Sequence, residues 1–198
     1  MVQRKKEGVR EAILEAAFRL FSEQGYTETS LPAIAREAGI STANVYVYFN
    51  SKIDVLFTLY SPWLEERLDK LERSLRRVAD PQERLRRLLL ALWRDLPRQS
   101  NGFANNVMQA VSSSSGSGDY SPNLREVFQG RVARLIEDCL TVTAHESELI
   151  AGVVLMAFDG FAMNVRLVHG MACNDELARL FGRLLAAPRV DDSTLSVQ

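Results

Sequence analysis

From Ser51 onward, Leu56, Leu59, Leu64, Leu68, Leu71, Leu75 and Val78 keep the three- and four-residue spacing of one helix face. An apolar stripe of that length must be covered by another element, which commits the chain to helix packed on helix. The same spacing occurs in Ile13, Ala16, Ala17, Leu20 and Phe21, and again in Leu85, Leu88, Leu89, Leu92 and Trp93 behind the helix opener Asp80-Pro81. No convincing strand pair and no fixed-period repeat interrupts the pattern, so the expected fold is all-α. Pro62 is the one strong irregularity. It predicts a kink near residues 58–62, because proline lacks the N–H and crowds the carbonyl four residues back. Glu66/Lys70, Asp69/Arg73 and Glu72/Arg76 read as i,i+4 pairs on a solvated face.

Shorter helices are expected around residues 103–111, 121–143, 147–168 and 174–186, with SSSSGSGD at 112–119 as a mobile loop and a frayed tail after Pro188. The 198-residue chain has a formal net charge of −1, so any attraction to nucleic acid must come from a local patch. Cys139 and Cys173 lack paired C-x-x-C spacing and read as free thiols of a cytoplasmic protein. The start does not look like a secretory signal. The longest apolar run, 149–158, is about half of the roughly 20 residues a membrane span needs, so no membrane partner is expected.

Signs of enzyme chemistry are weak. His145-Glu146-Ser147-Glu148-Leu149 begins like H-E-x-x-H but has leucine where the second imidazole belongs. Gly116-Ser117-Gly118 is a lone G-x-G, and His169 sits near a helix end. Residues 84–94 read as a core-facing helix with an outer arginine face. No nucleophile, metal set or cofactor motif accompanies them, so no enzyme activity, cofactor or metal is expected. Asp159, inside the apolar stretch LMAFDGFAM, requires a partner: a cap or neighbouring helix, or a polar group on a ligand.

Residues 9–56 organise differently. Gly25 is placed to stop a first helix, Thr29 or Ser30 to cap a short second one that ends at Gly39, and Ser41 to cap a third. Ser51-Lys52-Ile53-Asp54 resembles a capping box. Two short helices around Ala38-Gly39-Ile40-Ser41, preceded by a longer one, match the tri-helical unit whose last helix enters a DNA major groove. The ILEAA…LF…GY…TS…IA..AGIS…VY.YF.SK pattern in this stretch resembles the DNA-binding domain of the TetR family of bacterial transcriptional regulators.

That resemblance implies a helix-turn-helix domain over residues 1–54 and a helical effector-binding and dimerisation domain over residues 55–198. It implies a homodimer on double-stranded, roughly palindromic operator DNA, released by a small-molecule effector and acting as a repressor. By position, Thr42, Ala43 and Asn44 match the base-facing residues, Tyr46, Tyr48 and Lys52 the groups that hold the backbone, and Ser30 and Ser41 hydroxyls at helix starts. Val47 stands where the family often has an aromatic residue and Pro32 where it often has a polar one, although the Val47 methyls suit a thymine methyl.

Over residues 1–54 the cations are cancelled by carboxylates and cluster in the arm Arg4 to Arg10 and at Lys52. Farther along, Trp63, Trp93, Phe103, Met108, Phe128, Met156 and Asp159 are the candidate effector contacts, with plain core packing as the alternative for each apolar one. Gly152, Gly160, Leu177, Leu180, Phe181 and Leu184 are the candidate dimer contacts. Pro62 is read as a hinge linking Lys52 to Trp63 along one helix. The alternative is a DNA-binding regulator whose C-terminal domain senses a protein partner or no ligand.

Overall fold

The structure, a computed structural model, describes residues 2–99, 102–113, 123–165 and 171–187, the first four and the pair 123–124 without side chains. All regular structure among the described residues is helical: α1 Val2–Glu23, α2 Gly25–Glu28, α3 Leu31–Glu37, α4 Thr42–Tyr46, α5 Lys52–Leu75, α6 Pro81–Leu90, α7 Phe103–Ser113, α8 Asn123–Glu137, α9 Ala144–Asn164 and α10 Asp175–Ala186. The low-complexity stretch from 114 onward, His169 and the tail after Pro188 lie outside the described residues.

Local chemistry sets the boundaries. Gly25 ends α1 by taking φ +84°, a conformation that disfavours side chains, and α2 follows at once. That four-residue helix was not expected. The Ser30, Ser41 and Ser51 hydroxyls accept from the Ala33, Asn44 and Asp54 amides at 3.2, 3.3 and 3.2 Å, capping α3, α4 and α5. The predicted box at Ser51 is half made, since the Asp54 carboxylate takes the Asn50 amide at 2.9 Å. α9 starts earlier than its sequence pattern suggested, because Thr143 and Glu146 form a full capping box.

α5 continues as one helix through Pro62, with the Ser61 hydroxyl donating to the Phe57 carbonyl at 2.7 Å. Its charges do more than face water. Arg131 on α8 reaches Asp69 and Glu72 at 2.7 Å each, tying two helices together, while Glu66–Lys70 and Glu72–Arg76 pair as expected. α6 runs into a π-helical turn, Ala91–Asp95, in which the Leu96 amide donates to Ala91 at 2.9 Å. The buried core is continuous, from Ile13 and Ile34 in the N-terminal unit through Tyr60 and Leu64 to Leu92, Ile136 and Leu155.

Candidate DNA interface and effector cavity

α4 turns its apolar side inward through Val45, while Phe49 beyond its end is 2 % exposed. Ala43, Asn44, Tyr46 and Val47 are exposed, with Thr42 and Tyr48 half-buried beside them. Val47 is 68 % exposed, a large open surface for an apolar side chain. The Arg10 guanidinium lies over the Phe49 ring at 5.6 Å, so α1 delivers a cation next to this face. Ser30 and Ser41 use their oxygens as caps, which leaves their O–H groups to donate outward.

Lys52 is corrected. Its ammonium points inward, donating to the Tyr26 and Thr29 carbonyls at 2.8 and 2.7 Å and lying 4.1 Å from the Tyr26 ring centre. Burial pushes its pKa down, against the opposing pull of Glu28. The lysine closes the C-terminal end of α2 and docks it on α5. Lys52→Ala should therefore lower stability by about 1.5–3 kcal/mol, the worth of charge-assisted hydrogen bonds. Urea titration checks the loss. A phosphate-neutralising lysine would instead flatten the salt slope of DNA binding by about one unit.

Farther along, α5, α7, α8 and α9 line a partly open cavity of about 40 Å³. Phe57 and Leu64 line it from α5, Phe103, Val107 and Val111 from α7, Arg125 and Phe128 from α8, and Leu155, Phe158 and Asp159 from α9. Of the candidate effector contacts, Phe103, Phe128 and Asp159 meet here. The Asp159 carboxylate stands 3.5 Å from the Arg125 guanidinium. Burial raises its pKa and Arg125 opposes the rise. Trp63 packs on Phe103 at 4.9 Å, just behind the wall, and Met108 packs half-buried against the core.

Two candidates lie elsewhere. The Trp93 N–H donates to the Val154 carbonyl at 2.8 Å, and its ring packs between Phe161 and Phe181, so it serves the core under α9 and α10. Met156 is 67 % exposed on the outer face of α9. There it joins Leu149, Val153 and Met163 in an exposed apolar stripe, and Leu180 and Leu184 of α10 are exposed too. Gly152 and Gly160 are half-buried on the same helix, and a side chain at Gly160 would meet open space. Leu177 instead packs against the chain's own core and Phe181 edges Trp93, so these two are shared with the interior.

The profile described as "Bacterial regulatory proteins, tetR family" matches residues 13–59, the segment that builds α1 to α5 around the exposed α4 face. That segment is a TetR-type N-terminal domain. The chain is 42 % identical over 76 residues to the HTH-type transcriptional regulator HbdR of Aromatoleum sp. (strain CIB), covering 38 % of this chain and 33 % of that protein. It is 36 % identical over 101 residues to the HTH-type transcriptional regulator TtgR of Pseudomonas putida, covering 48 % of each. The chain thus spans less than half the length of the curated relatives it matches. Among solved structures, FadR of Bacillus subtilis in complex with stearoyl-CoA superposes with a TM-score of 0.60 at 15 % identity, over 89 % of this chain and 97 % of that one. At that identity the likeness establishes the fold.

Sequence reasoning missed the seam between the N-terminal unit and the helices that follow it. Asn106 is fully buried and donates to the Phe21 carbonyl at 3.1 Å and to the Tyr60 hydroxyl at 3.0 Å. Gln109 accepts from the Thr27 amide at 2.9 Å. Their signal was the amide side chains inside the otherwise apolar pattern of FANNVMQAV. Among the described residues no His/Cys/Asp/Glu cluster could hold a metal, and no helix is long and apolar enough to cross a membrane.

Proposed function

We propose that the chain is a TetR-family repressor that grips a roughly palindromic operator as a homodimer and lets go when a small apolar effector fills the cavity. One observation carries the reading: α5 is capped after the α4 unit by Ser51 and lines the cavity with Phe57 and Leu64 roughly two and three and a half turns later. A change at the cavity wall is therefore a change in the helix on which the DNA-contacting unit is mounted. The dimer is proposed to form through the outer faces of α9 and α10, where large apolar side chains stand exposed. Twofold symmetry then requires related half-sites in the operator.

An apolar tail suits the phenylalanine, valine and leucine walls, and a polar end suits the Arg125–Asp159 pair at the rim. The stearoyl-CoA bound by the FadR neighbour supplies a starting probe of that chemistry. The chain is proposed to act in the cytoplasm, where its operator would be.

On the DNA side, Thr42, Ala43, Asn44 and Val47 are proposed to face bases, and Ser30, Ser41, Tyr46, Tyr48 and Arg10 to face the backbone. Asn44→Ala should cost about 1–3 kcal/mol on a duplex selected by the wild-type protein and should broaden the bases accepted at one position per half-site. Repeating the selection with the mutant checks both; an unchanged consensus moves base reading off Asn44. The second reading, a regulator with a protein partner or no ligand, draws on the small volume of the cavity. Titration of stearoyl-CoA and shorter acyl chains into the protein–duplex complex separates the two, since release of DNA by any of them favours the first.

A further inference from the structure

α7 has two working faces. Phe103, Val107 and Val111 recur every four residues and line the cavity. Gln109, two residues beyond Val107 and so roughly 160° round the helix, accepts the Thr27 amide of α2. Asn106 holds the Phe21 carbonyl near the end of α1 and the Tyr60 hydroxyl of α5 from one amide nitrogen. The joints are closed by glycines: a Cβ at Gly25 would stand 2.9 Å from Gln109 Oε1, and one at Gly102 would stand 2.9 Å from Asn106 Nδ2. Both glycines also take positive φ, +84° and +73°.

We infer that α7 is the strut that carries cavity filling to the DNA-contacting unit, with Gln109 and Asn106 as its positioning residues. The inference rests on the effector reading of the cavity and deepens it by naming the route. A ligand that parts α7 from α8 and α9 displaces Val107. Because interiors are close-packed, the helix moves as a body and not by local give. The displacement then reaches α1 and α2 through the two amides.

A wedge in the cavity stands in for the unidentified effector. Dissociation constants are measured on a duplex selected by the wild-type protein from a random library, for Val107→Trp, Gln109→Ala and the double variant. In the wild-type background Val107→Trp should weaken binding at least about 5-fold, the low end of usual allosteric couplings. In the Gln109→Ala background the same wedge should cost less than about 2-fold, the margin within which independent sites simply add. Val111→Trp, at the exposed side of the cavity, repeats the cycle if Val107→Trp melts early. Equal losses in both backgrounds overturn the strut and leave the effector reading standing, because a merely structural glutamine adds its own loss without altering that of the wedge. No loss from either folded wedge overturns both.

Discussion

Met156→Glu should yield a folded monomer that no longer holds its operator at working concentrations. Met156 sits mid-helix in the α9 stripe with Leu149, Val153 and Met163, all at least 58 % exposed, and Leu184 on α10 is 62 % exposed. So many large apolar side chains on α9 and α10 exceed the scattered exposure that monomers carry. A carboxylate at the centre of a twofold interface faces its own copy and must be desolvated beside a like charge. A dimer reads two half-sites at once, and each lone unit keeps only its own contacts, so the loss in operator affinity should run to roughly 100-fold or more, the scale on which linked sites exceed single ones. Sedimentation and operator titration measure the two consequences. A variant that sediments as a dimer places the interface on another surface. Leu180→Glu, on the α10 side of the proposed interface, should behave alike.

Trp93→Ala should be the most destabilising single change, at about 3–5 kcal/mol. The indole is 2 % exposed, packs on Phe161 at 5.5 Å and on Phe181 at 5.2 Å, and donates to the Val154 carbonyl. Truncation would open a cavity under both helices that bear the exposed stripe and leave that carbonyl one donor short. Trp93→Phe keeps most of the ring contact and loses the N–H, so it should cost distinctly less, with about 0.5–1.5 kcal/mol from the hydrogen bond. Urea denaturation of the pair resolves packing from hydrogen bonding. Similar losses for both would assign the residue's worth to its N–H.

What the sequence disclosed follows the range of the interactions involved. The caps at Ser30, Ser41 and Ser51 and the stop at Gly39 bind atoms within a few residues, so the helix-turn-helix unit could be drawn from spacing alone. Lys52 could not, because its acceptors Tyr26 and Thr29 lie 26 and 23 positions upstream and a lysine near DNA reads equally well as a phosphate contact. α2 was missed because GYTE is too short to show a period. In the effector region, periodicity told which side of each helix is apolar but not what covers it. Met156 and Phe128 looked alike as candidates, yet α9 turns one to its outer face and α8 turns the other into the cavity. Asp69 and Glu72 looked like surface charge until α8 brought Arg131 to them. Sequence drew attention to Pro62, where it shows a broken rule, and gave no sign of the hydrogen bonds that α7 makes across the seam to Thr27 and Phe21.

The cavity between α5, α7, α8 and α9 holds only about 40 Å³, against roughly 300–1,000 Å³ for ordinary ligand sites. On the proposed effector reading, a regulator that rests shut must be prised open by whatever it detects, and the free energy of opening is subtracted from every ligand's affinity. If one molecule in about a hundred stands open, a ligand must be present at about a hundred times its intrinsic dissociation constant before half the sites fill. Tight packing around Phe103, Phe128 and Leu155 thereby sets an alarm level. In the proposed repressor, background traces of a well-fitting compound would leave the operator occupied, and only an accumulated pool of it would clear the DNA.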